Sequence, residues 1–266
     1  MRAELADVEL HYELTGAPGG RTIAMTHGIG GSGDTWAQVA EGLGEKYQIL
    51  TWDVRGHARS GRPAGGYAIA QFAADLAGLL DHLGIPDAVI MGSSMGGTIT
   101  QRFILDFPDK TAAAVIMSTS SEVNEAGRAR WEGQADFIEA NGMRAFIERG
   151  RPASQTPAYL AEHPEIVEAE ERRIANNPDG KVYAQVARAV AFYNYTQELE
   201  TVRTPTLVLV GDQDTSTPPG GSVIISRRIP GAELHILPGL GHSLEQLDPK
   251  QVVDLVGDFL ARRLPD

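Results

Sequence analysis

No cysteine occurs among the 266 residues, which removes disulfides, thiol nucleophiles and thiolate metal sites from consideration. Nor does any apolar run approach the roughly 18 residues that a membrane-spanning helix needs. The opening Met1-Arg2-Ala3-Glu4-Leu5-Ala6-Asp7 carries two acids and no apolar core, so it does not read as a secretory leader. A cytoplasmic location is the resulting expectation. Positive charge is also scarce: 23 Lys and Arg face 35 Asp and Glu, a formal net charge of −12. Polyanions are repelled by such a chain, so neither nucleic acid nor an anionic membrane surface is an expected partner. A small substrate meets only the local field and is not excluded. Nothing in the pattern points to a metal or a cofactor, and the oligomeric state is not legible.

What is present is an alternation of strand-like and helix-like segments. Residues 8–14 alternate apolar and polar, and 22–26, 48–52, 88–91, 113–117 and 206–210 are short apolar runs that read as buried strands. Residues 233–237 alternate as a last strand. Between them, Phe72, Leu76, Leu79, Leu80 and Leu83 form a helical stripe that Gly84 closes and Pro86 ends. A final amphipathic helix spans about 249–262. Strands alternating with helices at this spacing predict a mostly parallel sheet with helices on both faces, whose ligands sit at the carboxyl ends of the strands.

The alternation stops between residues 121 and 200. Trp131, Ala135 and Ile138 recur at helical spacing, as do Val182, Val186, Val190 and Tyr193, with Ile166, Val167 and Ile174 marking another amphipathic piece between them. Gly142, Pro152, Pro157, Pro164 and Pro178 punctuate the segment. About four short helices inserted over the strand ends are expected. The domain reading is a core at 1–120, a helical cap at 121–200 and the rest of the core at 201–266.

The chemistry centres on Gly92-Ser93-Ser94-Met95-Gly96-Gly97, which follows a strand and opens a helix. In that context Gly-x-Ser-x-Gly describes a strained turn that lifts a serine hydroxyl above the sheet, the flanking glycines being needed where a Cβ would collide. Ser94 is the candidate nucleophile, and the backbone N–H of Met95, at the helix N-terminus, is placed to bind an oxyanion. A serine hydroxyl needs a base, and the base needs a group that fixes its tautomer. His242, in Gly239-Leu240-Gly241-His242, follows the last strand, and Asp212 and Asp214, in Gly211-Asp212-Gln213-Asp214, follow the strand before it. His11 and His235 lie inside alternating strands, His82 on a helix and His163 in the insertion, all read as structural. The cluster Asp53-Val54-Arg55-Gly56-His57-Ala58-Arg59-Ser60 is read as loop scaffolding in which Asp53, Arg55 and His57 brace one another. Glycine is dense again in His27-Gly28-Ile29-Gly30-Gly31-Ser32-Gly33, where backbone N–H groups must approach something closely.

The order Ser, Asp, His, each after a strand of the same sheet, with these five segments, resembles the α/β-hydrolase superfamily over the whole chain. The resemblance implies an eight-stranded sheet with a helical cap after strand 6, and no cofactor. It implies Ser94 as nucleophile, His242 as general base, Asp214 rather than Asp212 as the acid, and an oxyanion hole from the N–H groups of Ile29 and Met95. Ala58 stands where the family signature has glycine. The nearest branch is that of 3-oxoadipate enol-lactonases and carboxylesterases, so a small ester or lactone is the expected substrate. Hydrolysis of a C–C bond and a ligand receptor on the same fold are the alternatives. Trp36, Trp131, Phe146, Phe192 and Tyr193 are candidate pocket residues, although each also reads as core packing. Arg144, Arg149, Arg151 and Arg188 are the arginines of the insertion considered for an anionic substrate.

Overall fold

The computed structural model describes residues 1–150, 157–162 and 164–265; Arg151, Pro152 and His163 lie outside them. Eight strands form one sheet: β1 (Arg2–Glu4), β2 (Glu9–Gly16), β3 (Thr22–Thr26), β4 (Gln48–Trp52), β5 (Ala88–Ser93), β6 (Thr111–Met117), β7 (Thr206–Gly211) and β8 (Glu233–Leu237). Their order is β1-β2-β4-β3-β5-β6-β7-β8; β2 pairs antiparallel with both β1 and β4, and the remaining five pairings are parallel. β1 is a three-residue edge strand that no periodicity announces.

Ten helices accompany the sheet among the described residues: α1 (Ala37–Leu43), α2 (Ile69–His82), α3 (Met95–Asp106), α4 (Glu125–Gly150), α5 (Pro157–Glu162), α6 (Pro164–Asn176), α7 (Gly180–Ala191), α8 (Pro219–Arg228), α9 (Leu244–Leu247) and α10 (Pro249–Arg263). None is long and apolar enough to cross a membrane. Successive residues of the central strands serve opposite faces. Ile23, Met25, Val89, Met91, Val115, Met117, Leu207 and Leu209 pack with Val39 of α1 and Val252, Val256 and Phe259 of α10. Ala24, Ile90, Ala114, Ile116 and Val208 pack with Phe72 and Leu76 of α2 and Ile99 and Phe103 of α3. Burial on both faces is why these strands read as unbroken apolar runs rather than alternating ones.

Helices α4 to α7 are inserted between β6 and β7. They have a small core of their own, Ala135, Ile138, Met143, Ile147, Tyr183, Ala184 and Ala187. The long α4 is interrupted at Gly142, whose φ of 82° breaks the helical path. Val186 and Val190 of α7 belong instead to the core beneath, so this helix joins the two layers. Three hydrogen bonds tie the end of α6 to the loops of the sheet: Asn177 Nδ2 donates to the Gly30 carbonyl at 3.1 Å, and the Asn176 carbonyl accepts from the Ala58 N–H at 2.7 Å and from Arg62 at 3.4 Å.

The charged loop after β4 is scaffolding, but its members do not brace one another as expected. Asp53 accepts from the Gly33 N–H at 2.7 Å and from Arg59 Nε at 2.8 Å. Arg55 points the other way and forks between Asp75 of α2, at 2.5 and 2.6 Å, and Asp7, at 2.9 Å to each oxygen. Arg55 and Asp75 are both buried. His57 meets the Arg55 carbonyl at 3.2 Å and the ring of His27 edge-on at 5.1 Å between centroids, and burial pushes its pKa down to about 3. Ala58 adopts the left-handed conformation with φ 42°, which a Cβ makes unfavourable.

Two outcomes in chemical denaturation follow. Ala58→Gly is expected to raise the unfolding free energy by about 1 kcal/mol, because only glycine takes this conformation freely. Asp75→Asn is expected to lower it by about 3 kcal/mol, since it leaves the Arg55 guanidinium buried beside a neutral partner.

Candidate active site

Strand β5 ends at Ser93 and α3 begins at Met95, so Ser94 alone makes the turn. Its φ of 57° and ψ of −119° lie where side chains are strained. The turn is held by close backbone approach on either side. A Cβ on Gly96 would lie 2.1 Å from the Thr26 carbonyl oxygen, and one on Gly92 would lie 2.2 Å from the Gly96 oxygen. Ser94 itself is half-buried, and a Cβ on Gly28 would sit 3.7 Å from its Oγ. The serine therefore stands against the glycine-rich loop that follows β3. Neither the Ile29 nor the Met95 N–H donates to a backbone acceptor among the described residues.

His27 fixes that loop. Its Nε2 accepts from the Val54 N–H at 3.0 Å, so its Nδ1 carries the proton and donates to the Gly28 carbonyl at 2.7 Å. Burial holds this imidazole below its ordinary pKa and therefore neutral.

His242 lies after β8, three strands away from β5, and reaches back because the loop folds over the end of β7. A Cβ on Gly211 would lie 2.1 Å from the Leu240 oxygen, and the Gln213 N–H donates to that same oxygen at 2.9 Å. Leu244 then enters the core face that contains Trp36. Next to it, Glu245 is buried against the Ser93 side chain, and burial pushes its carboxyl up. The loop that carries His242 thus packs on the end of β7, and its Glu245 lies beside Ser93 at the end of β5.

On the β7 side, His242 Nδ1 and Asp214 Oδ2 are 2.8 Å apart. Oδ1 of Asp214 accepts from the Ser216 and Thr217 N–H groups at 2.9 and 2.8 Å, and Oδ2 also accepts from the Thr217 hydroxyl at 2.9 Å. Burial pushes the Asp214 carboxyl up, but the hydrogen bonds from His242 and Thr217 outweigh it and hold the group below the usual carboxylate range. An ionised carboxylate only accepts, so Nδ1 of the imidazole carries the proton and Nε2 is left with its lone pair. Asp212 does not compete, because its carboxylate accepts from the Gly239 N–H at 2.7 Å in the outer loop. Ser94 Oγ makes no hydrogen bond among the described residues; in free enzymes such contacts are commonly looser than in the complex.

The aromatic residues divide. Trp131 is half-buried and packs against both the sheet core and the core of the insertion, as Ile29 does. Phe146 is also half-buried, with its ring centroid 6.4 Å from that of Tyr183. Tyr193 is buried in the core of the sheet and its hydroxyl meets Ser120 Oγ at 3.1 Å. Trp36 is no pocket residue: it is fully enclosed on the opposite face with Val39 and Leu244. Phe192 is 57% exposed, on the outer surface under the guanidinium of Arg128. Both were expected at the pocket because aromaticity signals buried area without saying which cluster buries it. Tyr183, 1% exposed and beside Ile29, was not singled out by the sequence. Its place at i+3/i+4 spacing on the α7 stripe was the available signal. Two surface clefts, one along α1 and β2 and one near Pro86 and the end of α10, touch neither Ser94, Asp214 nor His242.

The family model of the alpha/beta hydrolase fold matches residues 22–245. The chain belongs to the alpha/beta hydrolase family. As a hydrolase it is similar to 3-oxoadipate enol-lactonase 2 of Acinetobacter baylyi, with 29% identity over 231 residues, 87% of this chain and 85% of that protein. The enol-lactonase structure from Burkholderia xenovorans LB400 superposes with a TM-score of 0.88 at 25% identity, covering 98% of this hydrolase and all of that chain (100%). A malate-bound thermophilic esterase from Thermogutta terrifontis superposes with a TM-score of 0.85 at 25% identity, covering 98% of each chain.

The depressed pKa of Asp214 fixes a sign. A carboxyl whose pKa is lower in the folded hydrolase adds stability above its unfolded value, near 4, and loses it as pH falls through the folded value. Urea midpoints of the parent and Asp214→Asn are therefore expected to differ most at neutral pH and to converge in acid.

Proposed function

We propose that this hydrolase is a serine hydrolase that cleaves a small carboxylic ester or lactone through an acyl-enzyme. The observation that carries the reading is the 2.8 Å pairing of His242 Nδ1 with Asp214, because it leaves Nε2 as a base in a loop folded back toward Ser94. Supporting it are the strained φ of Ser94 and the unspent N–H groups beside it. The similarity to an enol-lactonase and to a malate-bound esterase agrees with a substrate of this kind.

In this reading His242 Nε2 takes the Ser94 hydroxyl proton while Oγ bonds to the substrate carbonyl carbon. The carbonyl electron pair moves onto oxygen, where the Ile29 and Met95 N–H groups bind it; each such donor is typically worth roughly 3–4 kcal/mol of barrier. Collapse of the tetrahedral intermediate breaks the bond to the leaving oxygen, which receives the proton from His242. Water then repeats the sequence on the acyl-enzyme, giving the acid and restoring Ser94. In a lactone the leaving oxygen stays attached to the acyl chain, so one product results. Asp214 keeps its charge throughout and stabilises the imidazolium.

A fluorophosphonate probe is expected to label Ser94. Ser94→Ala is expected to lose that label and to lower kcat on a short-chain aryl ester by about 10⁴-fold or more. Undiminished turnover by Ser94→Ala would overturn the proposal.

A further inference from the structure

The two sides of the sheet end differently. On one side it closes with β1, three residues long; on the other β8 lies last in the order and, among the described residues, pairs only with β7. The direction of each β8 amide follows from its neighbours. The Ser118 N–H, after β6, donates to the Leu209 carbonyl at 2.9 Å, so Leu209 faces β6 while Val208 and Val210 face β8. The Asp212 N–H continues that alternation and donates to the Leu237 carbonyl at 3.0 Å. Glu233, His235 and Leu237 therefore turn their amides toward β7, and Leu234 and Ile236 turn theirs outward. No backbone group among the described residues meets these outward amides.

The free edge has a defined length and a bare character. The Ala232 N–H before it is spent on the Ile229 carbonyl at 3.2 Å, and Pro238 after it has no N–H. Natural edges are blunted by lysine, proline or an unpaired charge. Residues 233–237 contain neither Lys nor Pro, and the one carboxylate there, Glu233, is neutralised by Arg262 at 3.0 and 2.7 Å and Arg263 at 2.9 Å. Leu234 packs with Ile225 and Ile229 on the α8 face, whereas Ile236, two residues on and on that same face, is 43% exposed.

The occupant that fits is a second copy. A two-fold axis at His235 sets Leu234 of each copy opposite Ile236 of the other in an antiparallel pair. Each such pair exchanges two N–H···O bonds, so every outward amide is spent within β8. Leu234 and Ile236 then form one apolar row across both copies. The two-fold also lays the start of one β8 beside the end of the other. At the start stand Arg227, Arg228, Arg262 and Arg263, which outnumber the Glu200 and Glu233 carboxylates they pair with. At the end stands the exposed Asp212, whose carboxylate holds the Gly239 N–H at 2.7 Å. Opposite charges thus meet at both ends of the pair, in a molecule whose total of −12 otherwise keeps copies apart.

We propose that the outer edge of β8 is a dimer interface, where two copies of this chain pair antiparallel into one continuous sheet. It stands independently of the serine hydrolase reading and uses none of Ser94, Asp214 and His242.

Because the chain has no cysteine, a single introduced thiol can form a disulfide only between copies. His235→Cys puts it on the axis, where facing residues that exchange no hydrogen bond lie roughly 4.5 Å apart at Cα, within the span of a disulfide. Ile236→Cys puts it opposite Leu234, with its own counterpart a diagonal neighbour at roughly 7–8 Å, out of reach. Under mild oxidation His235→Cys is expected to become a covalent dimer at least about tenfold faster than Ile236→Cys. Sedimentation equilibrium of the parent at about 100 µM is expected to give twice the mass of one chain. Ile236→Lys charges the edge, and Ile236→Pro removes an outward N–H that β7 does not use; both are expected to sediment as monomers. A parent that is monomeric at this concentration overturns the interface. So does a dimer that survives both substitutions, or equal cross-linking of the two cysteine variants. Amide exchange of the parent needs no variant to fold. On dilution to about 1 µM the Leu234 and Ile236 N–H groups are expected to lose protection, and protection independent of concentration overturns the proposal.

Discussion

The mouth of the sheet depends on how closely the start of α3 can approach the ends of β3 and β5. The backbone of Gly96 lies so near Thr26 that no side chain fits, and Gly92 is under the same constraint from Gly96. With both neighbours fixed, the chain can pass from strand to helix only by placing Ser94 at positive φ. That conformation costs of order 1–3 kcal/mol and persists because the packing around it leaves no other path. The same approach brings Gly28 against the Ser94 side chain and opens the Met95 N–H at the helix end. The proposed nucleophile and both proposed oxyanion donors are consequences of one backbone crossing.

A second layer of constraint holds the loops around that crossing. His27 is clamped neutral between Val54 and Gly28, Asp53 gathers Gly33 and Arg59, and Arg55 is locked onto Asp75. A buried ion pair adds little net stability over apolar packing, but a half-broken one is costly, so it fixes geometry rather than strength. Through Ala58 the charged loop holds Asn176, and through Gly30 the glycine-rich loop holds Asn177. The inserted helices are therefore anchored to the same two loops that shape the site. A change in either loop reaches the inserted helices without crossing the sheet.

Much of this was legible in the chain, for reasons that differ by element. The central strands were visible because two-sided burial makes them apolar throughout, and Ser94 and His242 stood out because glycines mark the turns at strand ends, whereas the choice of Asp214 over Asp212 came from the family resemblance. The family match agrees with the resemblance, whereas the roles proposed for the three residues rest on the geometry. Edge strand β1 was not legible, since three residues with one buried side chain leave no period to read. Trp36 and Phe192 were expected at the pocket, and one is sealed in the core while the other faces solvent. Asp75 and Arg173 escaped notice for a common reason. A charge on an amphipathic helix reads as solvated surface, and the partner that contradicts this comes from another part of the chain.

The charge balance of the molecule looks unfavourable for an anionic substrate, yet it acts on a different length scale from the site. A net charge of −12 spread over the surface is screened beyond about 8 Å at physiological ionic strength. Within α6 the two scales are visible in one helix: it carries four glutamates, and of its two arginines Arg172 pairs with Glu168 outside while Arg173 turns inward over Gly30. The acids keep the exterior repulsive to polyanions, and the inward arginine presents its charge where desolvation strengthens it.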